Sequence, residues 1–337
     1  MSDSPDAGEG RMSIGIKGVG MVGTPLMRWF QEVRGHERGR DLYLYDTDPK
    51  LGYFDDVGKA RVVFICVPTP PNPDGSCNTG IVESAVRDVP PGRIVIIKST
   101  VPPGTTQRIQ NARPDLFLMF NPEFLTESQA WADFIKPSRQ IIGVTEQSAR
   151  YSIDVLNLLP LGLYRRPDLP VYGGRKVVTA TEAEMVKYAS NVFGSMKVSF
   201  ANVLADLCDT HGKVTGETVD YEHVRDMLEA DLRIGPAWLD VNHGAYHGFG
   251  GYCFPKDTAA FIRYATDLMR QMGIQTSEPV TEELGGRIAT INAAIDFLES
   301  NYRYNETLLD EQNLTIPEVS VHNRELLLRK RKPVRNR

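Results

Sequence analysis

Residues 12–23 read Met-Ser-Ile-Gly-Ile-Lys-Gly-Val-Gly-Met-Val-Gly. The stretch 12–17 has the short apolar make-up of a β-strand. Gly18, Gly20 and Gly23 follow in GxGxxG spacing, with Met21 and Val22 between them, and the run opens into apolar residues at helical spacing over 24–33. In a strand–turn–helix setting the three glycines allow a tight turn, close approach of a pyrophosphate, and close helix–strand packing. The helix N-terminus then faces the phosphates. Residues 41–46 (DLYLYD) read as a second strand ending in Asp46, 23 residues past Gly23. That is near the ~20 expected of a carboxylate that binds a ribose. An acid in this place argues for NAD over NADP. Lys17 does not fit, because a parallel strand buried on both faces should be apolar.

Outward from this unit, strand and helix signals alternate. Apolar runs at 61–67, 93–98, 116–119, 140–144 and 171–179 read as strands, and 79–88 and 147–159 as helices. Such alternation implies a doubly wound, mostly parallel sheet. Ligands bind beyond the carboxyl ends of its strands. The polar and proline-rich loops after residues 67, 98 and 119 fall there; they carry Thr69, Thr100 and the stretch Asn121–Ser128. Glu123 and Glu127 are four apart and share a face if that stretch is helical. From spacing alone they read as solvated.

Thr181-Glu182-Ala183-Glu184 has the form of a capping box. A helix of nearly thirty residues is expected from there to about Cys208. Val186, Ala189, Phe193, Met196, Phe200, Val203 and Leu207 give it an apolar stripe. A polar line carries Lys187, Asn191, Ser195 and Asn202, either a wet face or one wall of an active site. Shorter helices follow, including 221–230, and then Gly-Phe-Gly-Gly-Tyr-Cys-Phe-Pro-Lys-Asp-Thr at 248–258. Its glycines permit turns and close approach of a ligand, and it delivers Cys253 beside Lys256 and Asp257. A nearby cation favours the nucleophilic thiolate; Asp257 is close enough in sequence to act as a base. Standing alone, the segment reads as a glycine-rich loop with a packed cysteine. Residues 282–302 form an amphipathic helix pattern. The last fourteen residues hold seven basic ones, which reads as a solvated tail.

The chain of 337 residues is 41% hydrophobic and 24% charged, with net charge −5. Two or three soluble domains are expected, without the overall basic field of a nucleic-acid binder. Four cysteines without a CxxC pair argue against a zinc ribbon or redox dithiol; no metal is expected. No signal peptide and no run of membrane-spanning length is visible, so a reducing cytoplasm is expected. The expected organisation is a disordered tail over 1–11, a nucleotide-binding domain over 12–178 and a connecting helix over 179–210. A helical domain carrying the cysteine loop follows over 211–305, then an extension with the basic tail over 306–337. The fold class is α/β: an N-terminal Rossmann-type doubly wound parallel sheet, a long central helix, then a helical domain.

Together these motifs resemble the UDP-glucose/GDP-mannose dehydrogenases. The matching stretches, in family order, are GVGMVG (18–23), CVPTP (66–70), KSTVPPG (98–104), NPEFLTES (121–128) and PSRQIIG (137–143), then EMVKYASN (184–191), DLRIG (231–235) and FGGYCFPKDT (249–258). The resemblance implies NAD as cofactor, a nucleotide sugar as substrate and a homodimer through the 181–208 helix. It makes Cys253 the nucleophile, with Lys187, Asn191 and Asp257 around the reacting carbon and a water. Glu123 becomes an acid/base near the same centre, and Thr100 lies by cofactor and water. Gly18, Gly20, Met21, Val22, Gly23 and Asp46 would hold NAD, with Lys50, Thr69, Thr100, Glu127 and Lys256 as additions. Glu123, Phe124, Leu125, Lys187, Asn191, Phe249, Gly250 and Tyr252 would line the substrate. Arg233 would reach the substrate of a neighbouring subunit.

The chain departs from the family pattern twice. Only a few dozen residues follow the 282–302 helix, too few for the family's third domain, which holds the nucleotide half of the substrate. The span from Asp46 to Cys66 leaves room for barely one helical turn where the family has a longer insertion. A two-electron dehydrogenase of smaller or different nucleotide-linked alcohols, and a non-catalytic NAD or nucleotide-sugar-binding relic, are the competing readings. Cys253 argues against the first, and the intact Lys187, Asn191, Cys253 and Asp257 set against the second.

Overall fold

The computed structural model describes residues 11–162, 164–166, 178–242, 246–275 and 282–320. Residues 1–10 of the expected 1–11 tail, most of the expected strand at 171–179 and the basic end lie outside them. The chain divides into two compact units, Met1–Pro70 with Asn78–Lys187, and Pro71–Cys77 with Tyr188–Arg337.

The first unit is built on β1 (Ile14–Lys17), β2 (Leu42–Tyr45), β3 (Val62–Ile65), β4 (Ile94–Ile97), β5 (Phe117–Phe120) and β7 (Gly143–Val144), with β6 (Arg139–Ile141) between the last two in sequence. They form a sheet in the order β2-β1-β3-β4-β5-β7. The first five strands are parallel and β7 is antiparallel to β5. The order in which the chain adds strands across the sheet reverses at β1, so the switch point at which such sheets bind ligands lies between β1 and β3. The strands read as continuous apolar runs because both faces are covered. Ile14, Ile16, Leu44, Phe64, Ile96 and Met119 pack on one face with α1 (Gly23–Arg28) and α5 (Ser152–Leu158). Val63, Ile65, Val95, Ile97, Leu118 and Phe120 pack on the other with α2 (Gly80–Arg87) and α3 (Thr105–Ala112).

Lys17 is buried, and its Nζ donates to Ala85 O at 2.9 Å and reaches Asp88 Oδ2 at 3.4 Å. These groups close the C-terminal end of α2, where the helix dipole favours a cation. Between β2 and β3 only two short 3-10 turns appear, Pro49–Leu51 and Val57–Lys59, as the short span requires.

Three expectations change. The run 140–144 is two strands: β6 pairs with β8 (Tyr164–Arg166), and only β7 joins the main sheet. The expected 147–159 helix is a 3-10 turn, Ala149–Tyr151, followed by the shorter α5. The capping box is on Thr179, not Thr181. Thr179 Oγ1 accepts from Glu182 N at 3.2 Å, and the Glu182 carboxylate accepts from Thr179 N at 2.8 Å. That frees Glu184 for another partner.

The helix opened by that box, α6, runs Ala180–Thr215, seven residues past the expected end. The second unit holds most of it, with α7 (Tyr221–Glu229), α8 (Phe254–Gln275), α9 (Glu282–Asp310) and the short α10 (Ile316–Val319). α4 (Ala130–Ile135) belongs to the first unit. A Cβ at Gly194 would lie 2.6 Å from the Phe254 ring, so the glycine lets α6 and α8 touch. At the buried Ser195 hydroxyl, α6 meets Thr258 of α8 at 3.1 Å and Asn301 of α9 at 3.3 Å.

Candidate active site

In the first unit, the turn after β1 is forced by sterics. Gly18 has φ +90, and a Cβ there would lie 2.6 Å from Cys66 O. At Gly20 no atom lies within 4 Å of the Cβ position, so that side of the turn is open to a ligand. Gly20, Met21 and Thr24 line a groove of about 680 Å³ with Glu127, Ser128 and Trp131. Asp46 stands at the end of β2, and its carboxylate accepts from Val19 N at 2.6 Å and Asp48 N at 2.9 Å. An open glycine turn with a carboxylate at its side fits the diphosphate and ribose of a dinucleotide. Lys50 is exposed on the following turn, Thr69 is buried beyond β3, and Thr100 is half-buried beyond β4.

Beyond β5 the chain from Asn121 to Thr126 is not helical, and Glu127 begins a 3-10 turn. Glu123 and Glu127 therefore do not share a helical face. Glu127 borders the groove beside Gly20, whereas Glu123 is buried. Lys187 Nζ donates to Glu123 O at 2.6 Å and Oε1 at 2.7 Å, and Leu125 N donates to Glu123 Oε2 at 2.8 Å. Burial alone would push the Glu123 carboxyl up, but Lys187 and the Leu125 N–H hold it below the usual carboxylate range. Phe124 lies under the Arg139 guanidinium at 3.6 Å.

Lys98 opens the stretch KSTVPPG and has no role expected of it from the sequence. It is buried at the end of β4, donating to Asn121 Oδ1 at 2.5 Å. Burial, and next to it the charge of Lys187, keep its ammonium below the usual lysine range. Its only signal was a lysine closing the apolar run RIVIIK. Two lysines thus act on the one buried carboxylate of Glu123. Cys66 lies among the same charges, but burial pushes its thiol up to about 12, which leaves it a poor nucleophile.

In the second unit, α8 starts at Phe254, so Lys256 and Asp257 lie in its first turn. Cys253 stands just before it, and its carbonyl accepts from Asp257 N at 2.8 Å. The N–H groups of a helix start favour an anion such as a thiolate. Asp257 is wholly buried, accepts from Asn191 Nδ2 at 2.5 Å and pairs with Lys256. Burial works against the Lys256 ammonium, but the Asp257 charge and hydrogen bond hold it above the usual range. Cys253 and Tyr252 are half-buried and Gly250 is partly open. Phe249 is 1% exposed and packs edge-to-face on Tyr302 at 6.1 Å, beneath the loop rather than on its open side. Arg233 is exposed, held by Asp231 through its Nε at 3.0 Å.

Among the described residues no group of His, Cys, Asp and Glu is placed to hold a metal. No described helix is long and apolar enough to cross a membrane.

Comparison with known proteins shows the family. Residues 52–157 match the NAD binding domain of the UDP-glucose/GDP-mannose dehydrogenase family, and residues 181–280 match its central domain. The UDP-glucose 6-dehydrogenase AglM of Haloferax volcanii is 36% identical over 298 residues, covering 75% of this chain and 65% of that protein. The UDP-glucose 6-dehydrogenase of Rhizobium meliloti is 34% identical over 233 residues, 65% of this chain but 50% of its own length. The chain thus spans about half to two thirds of these curated relatives. A UDP-glucose dehydrogenase structure from Pyrobaculum islandicum superposes with TM-score 0.64 at 30% identity, over 92% of this chain and 73% of that one. On these matches, and on the sheet and turn that underlie them, the chain belongs to the UDP-glucose/GDP-mannose dehydrogenase family.

Proposed function

We propose that this protein oxidises the primary alcohol at C6 of a nucleotide sugar, UDP-glucose to UDP-glucuronate, in two hydride transfers. The Gly18–Gly23 turn and Asp46 would hold NAD, with Lys50, Thr69, Thr100, Glu127 and Lys256 contributing. When bound, NAD+ supplies the hydride acceptor for each oxidation. Lys187 and Asn191, one turn apart on α6, would stabilise the developing alkoxide, and the alcohol proton leaves through an ordered water beside Asp257 or Glu123. The Cys253 thiolate then adds to the aldehyde carbon, and the carbonyl oxygen takes a proton to give a thiohemiacetal. Loss of the second hydride and that proton leaves a thioester. Water adds to it with Glu123 or Asp257 as base; the C–S bond breaks, releasing the carboxylate and restoring the thiolate. A thiol is required because an aldehyde lacks the second oxygen that makes hydride loss easy.

The observation that carries this reading is Cys253 at the start of α8, with Lys256, Asp257 and Asn191 joined behind it. The test incubates the protein with NAD+ and a panel of nucleotide sugars and follows NADH against product. Two NADH per carboxylate are expected, and Cys253→Ser is expected to stall at or before the aldehyde. One NADH per product would point to a two-electron dehydrogenase, no NADH with any sugar to a binding relic, and full acid production by the serine variant would overturn the role of Cys253.

The reading includes a homodimer. Phe193, Phe200, Leu207 and Val214 recur every seven residues on α6 and are 60%, 56%, 59% and 78% exposed. A strict seven-residue apolar seam is the pattern by which helices pair, and we assign it to a second copy of the chain. Exposed Arg233 would then be available to the neighbour's substrate. A reducing cytoplasm is the compartment in which a working thiolate persists.

A further inference from the structure

The segment that delivers Cys253 is held from behind by residues far along the chain. His247 N donates to Gln312 Oε1 at 2.7 Å, and His247 O accepts from Gln312 Nε2 at 3.0 Å. Two residues on, Phe249 N donates to Asn305 Oδ1 at 2.7 Å, and Phe249 O accepts from Asn305 Nδ2 at 3.0 Å. Gly251 N donates to Val319 O at 2.8 Å. Each side-chain amide thus satisfies both polar groups of one residue, at alternate positions, as a neighbouring strand would. Asn305 is wholly buried in α9, so water cannot replace it there.

The glycines of the loop are shaped to this support. A Cβ on Gly248, at φ +99, would lie 2.6 Å from Asn305 Oδ1. One on Gly250 would lie 2.1 Å from the Tyr246 hydroxyl oxygen and 3.0 Å from Val319 Cβ. In the sequence these glycines read as room for a ligand. At both positions the approaching group is the protein's own.

We propose that Asn305 and Gln312 are positioning residues for Cys253, clamping Phe249 and His247 so that the loop enters α8 with the thiol at the helix N-terminus. The thiolate gains from that terminus only within the first turn. A loop free to drift would keep the cysteine but lose the setting that makes it reactive. The proposal rests on Cys253 being the nucleophile.

The test uses the full chain. In the wild type, peptide-resolved hydrogen exchange is expected to show protected amides at His247, Phe249 and Gly251. Exchange there at unprotected rates would overturn the clamp without any variant. Iodoacetamide alkylation of the Cys253 peptide, measured against pH with the Cys208 peptide as internal reference, then compares Asn305→Leu, Asn305→Asp and Gln312→Leu. The leucine variants are expected to lose about tenfold in Cys253 alkylation at neutral pH. Asn305→Asp retains the acceptor for Phe249 N and should fall between. kcat should drop with the alkylation rate while KM for NAD stays unchanged. A purely structural role would lower thermal stability and leave the alkylation profile of the folded protein in place, which would overturn the proposal. If Asn305→Leu does not fold, the half-buried Gln312 and the exchange data decide. Normal turnover by Cys253→Ser would remove the nucleophile reading alone, since exchange and alkylation report the loop whether or not it is catalytic.

Discussion

Glu184 offers a measurable test of how the first unit is held together. It sits on α6 with no exposed surface, its Oε2 accepting from Gly104 N at 2.6 Å and its Oε1 from Thr106 N at 2.8 Å. These N–H groups open α3 and have no partner within that helix. The residue at the cap, Gly104, has no side chain to offer. Burial pushes the Glu184 carboxyl up from 4.5 to about 7, against the Thr106 side chain and the backbone N–H groups that favour the anion. Between these values the folded protein holds a proton that the unfolded chain releases. The protonated group's stabilisation is therefore complete below pH 4.5 and is lost as pH rises through about 7. At 1.36 kcal/mol per unit, a shift of that size corresponds to about 3 kcal/mol. Glu184→Gln cannot titrate. It also gives up one acceptor, so it should be about 1–3 kcal/mol less stable than wild type at pH 5. By pH 8.5 that deficit should close or reverse. Urea unfolding followed through Trp29 and Trp131, both in the first unit, reports the difference. A stability difference that does not change with pH would refute the argument.

Lys187→Met leaves the buried Glu123 carboxylate with only the Leu125 N–H and the charge of Lys98 in its favour, and breaking such a buried pair costs about 3–5 kcal/mol; a melting temperature near the wild type's would show that Glu123 does not depend on Lys187. Asp46→Asn takes away the charge that receives Val19 N–H and is assigned to the ribose; KM for NAD should rise by about tenfold, at the scale of a lost charged hydrogen bond, with little change for NADP, and an unaltered NAD/NADP ratio would remove Asp46 from the cofactor site. Phe200→Asp places a charge in the α6 seam, at a cost on the order of several kcal/mol if the seam is covered; sedimentation should show monomers, and an unchanged oligomer would take the seam out of the interface.

The sheet was legible because its code is local. Four-residue runs such as VVFI and IVII are apolar on both faces, and no other element needs that pattern at that length. The residues that misled were those whose partners lie elsewhere. Lys17 looks wrong in a strand until Ala85 O and Asp88 are beside it. The run 140–144 splits because its middle is claimed from outside: Asn121 Nδ2 bonds Gln140 Oε1 and Ile141 O, and a Cβ at Gly143 would lie 2.6 Å from Ala183. The false capping box arose because Thr179 and Thr181 both offer a hydroxyl near an acid. What separates them is that Glu184 is already engaged by α3, 78 to 80 residues away in sequence.

The same distinction divides the candidate site. Cys253, Asp257, Lys187 and Asn191 were singled out by type and spacing, and the resemblance to the family gave them their proposed roles. The conditions that make them useful were not legible. Whether Glu123 is solvated or buried against a lysine depends on a residue 64 positions away, and spacing alone favoured the wrong state. The cysteine loop shows the same thing from the opposite side. Its glycines signalled close approach correctly, but the groups that approach Gly248 and Gly250 are Asn305, Tyr246 and Val319. A side chain that supplies chemistry must be of a particular type, and type is written in the sequence. A side chain that supplies position needs only an amide at the right place, and Asn305, past the end of the helix expected over 282–302 and inside α9 as it forms, carries no mark of it.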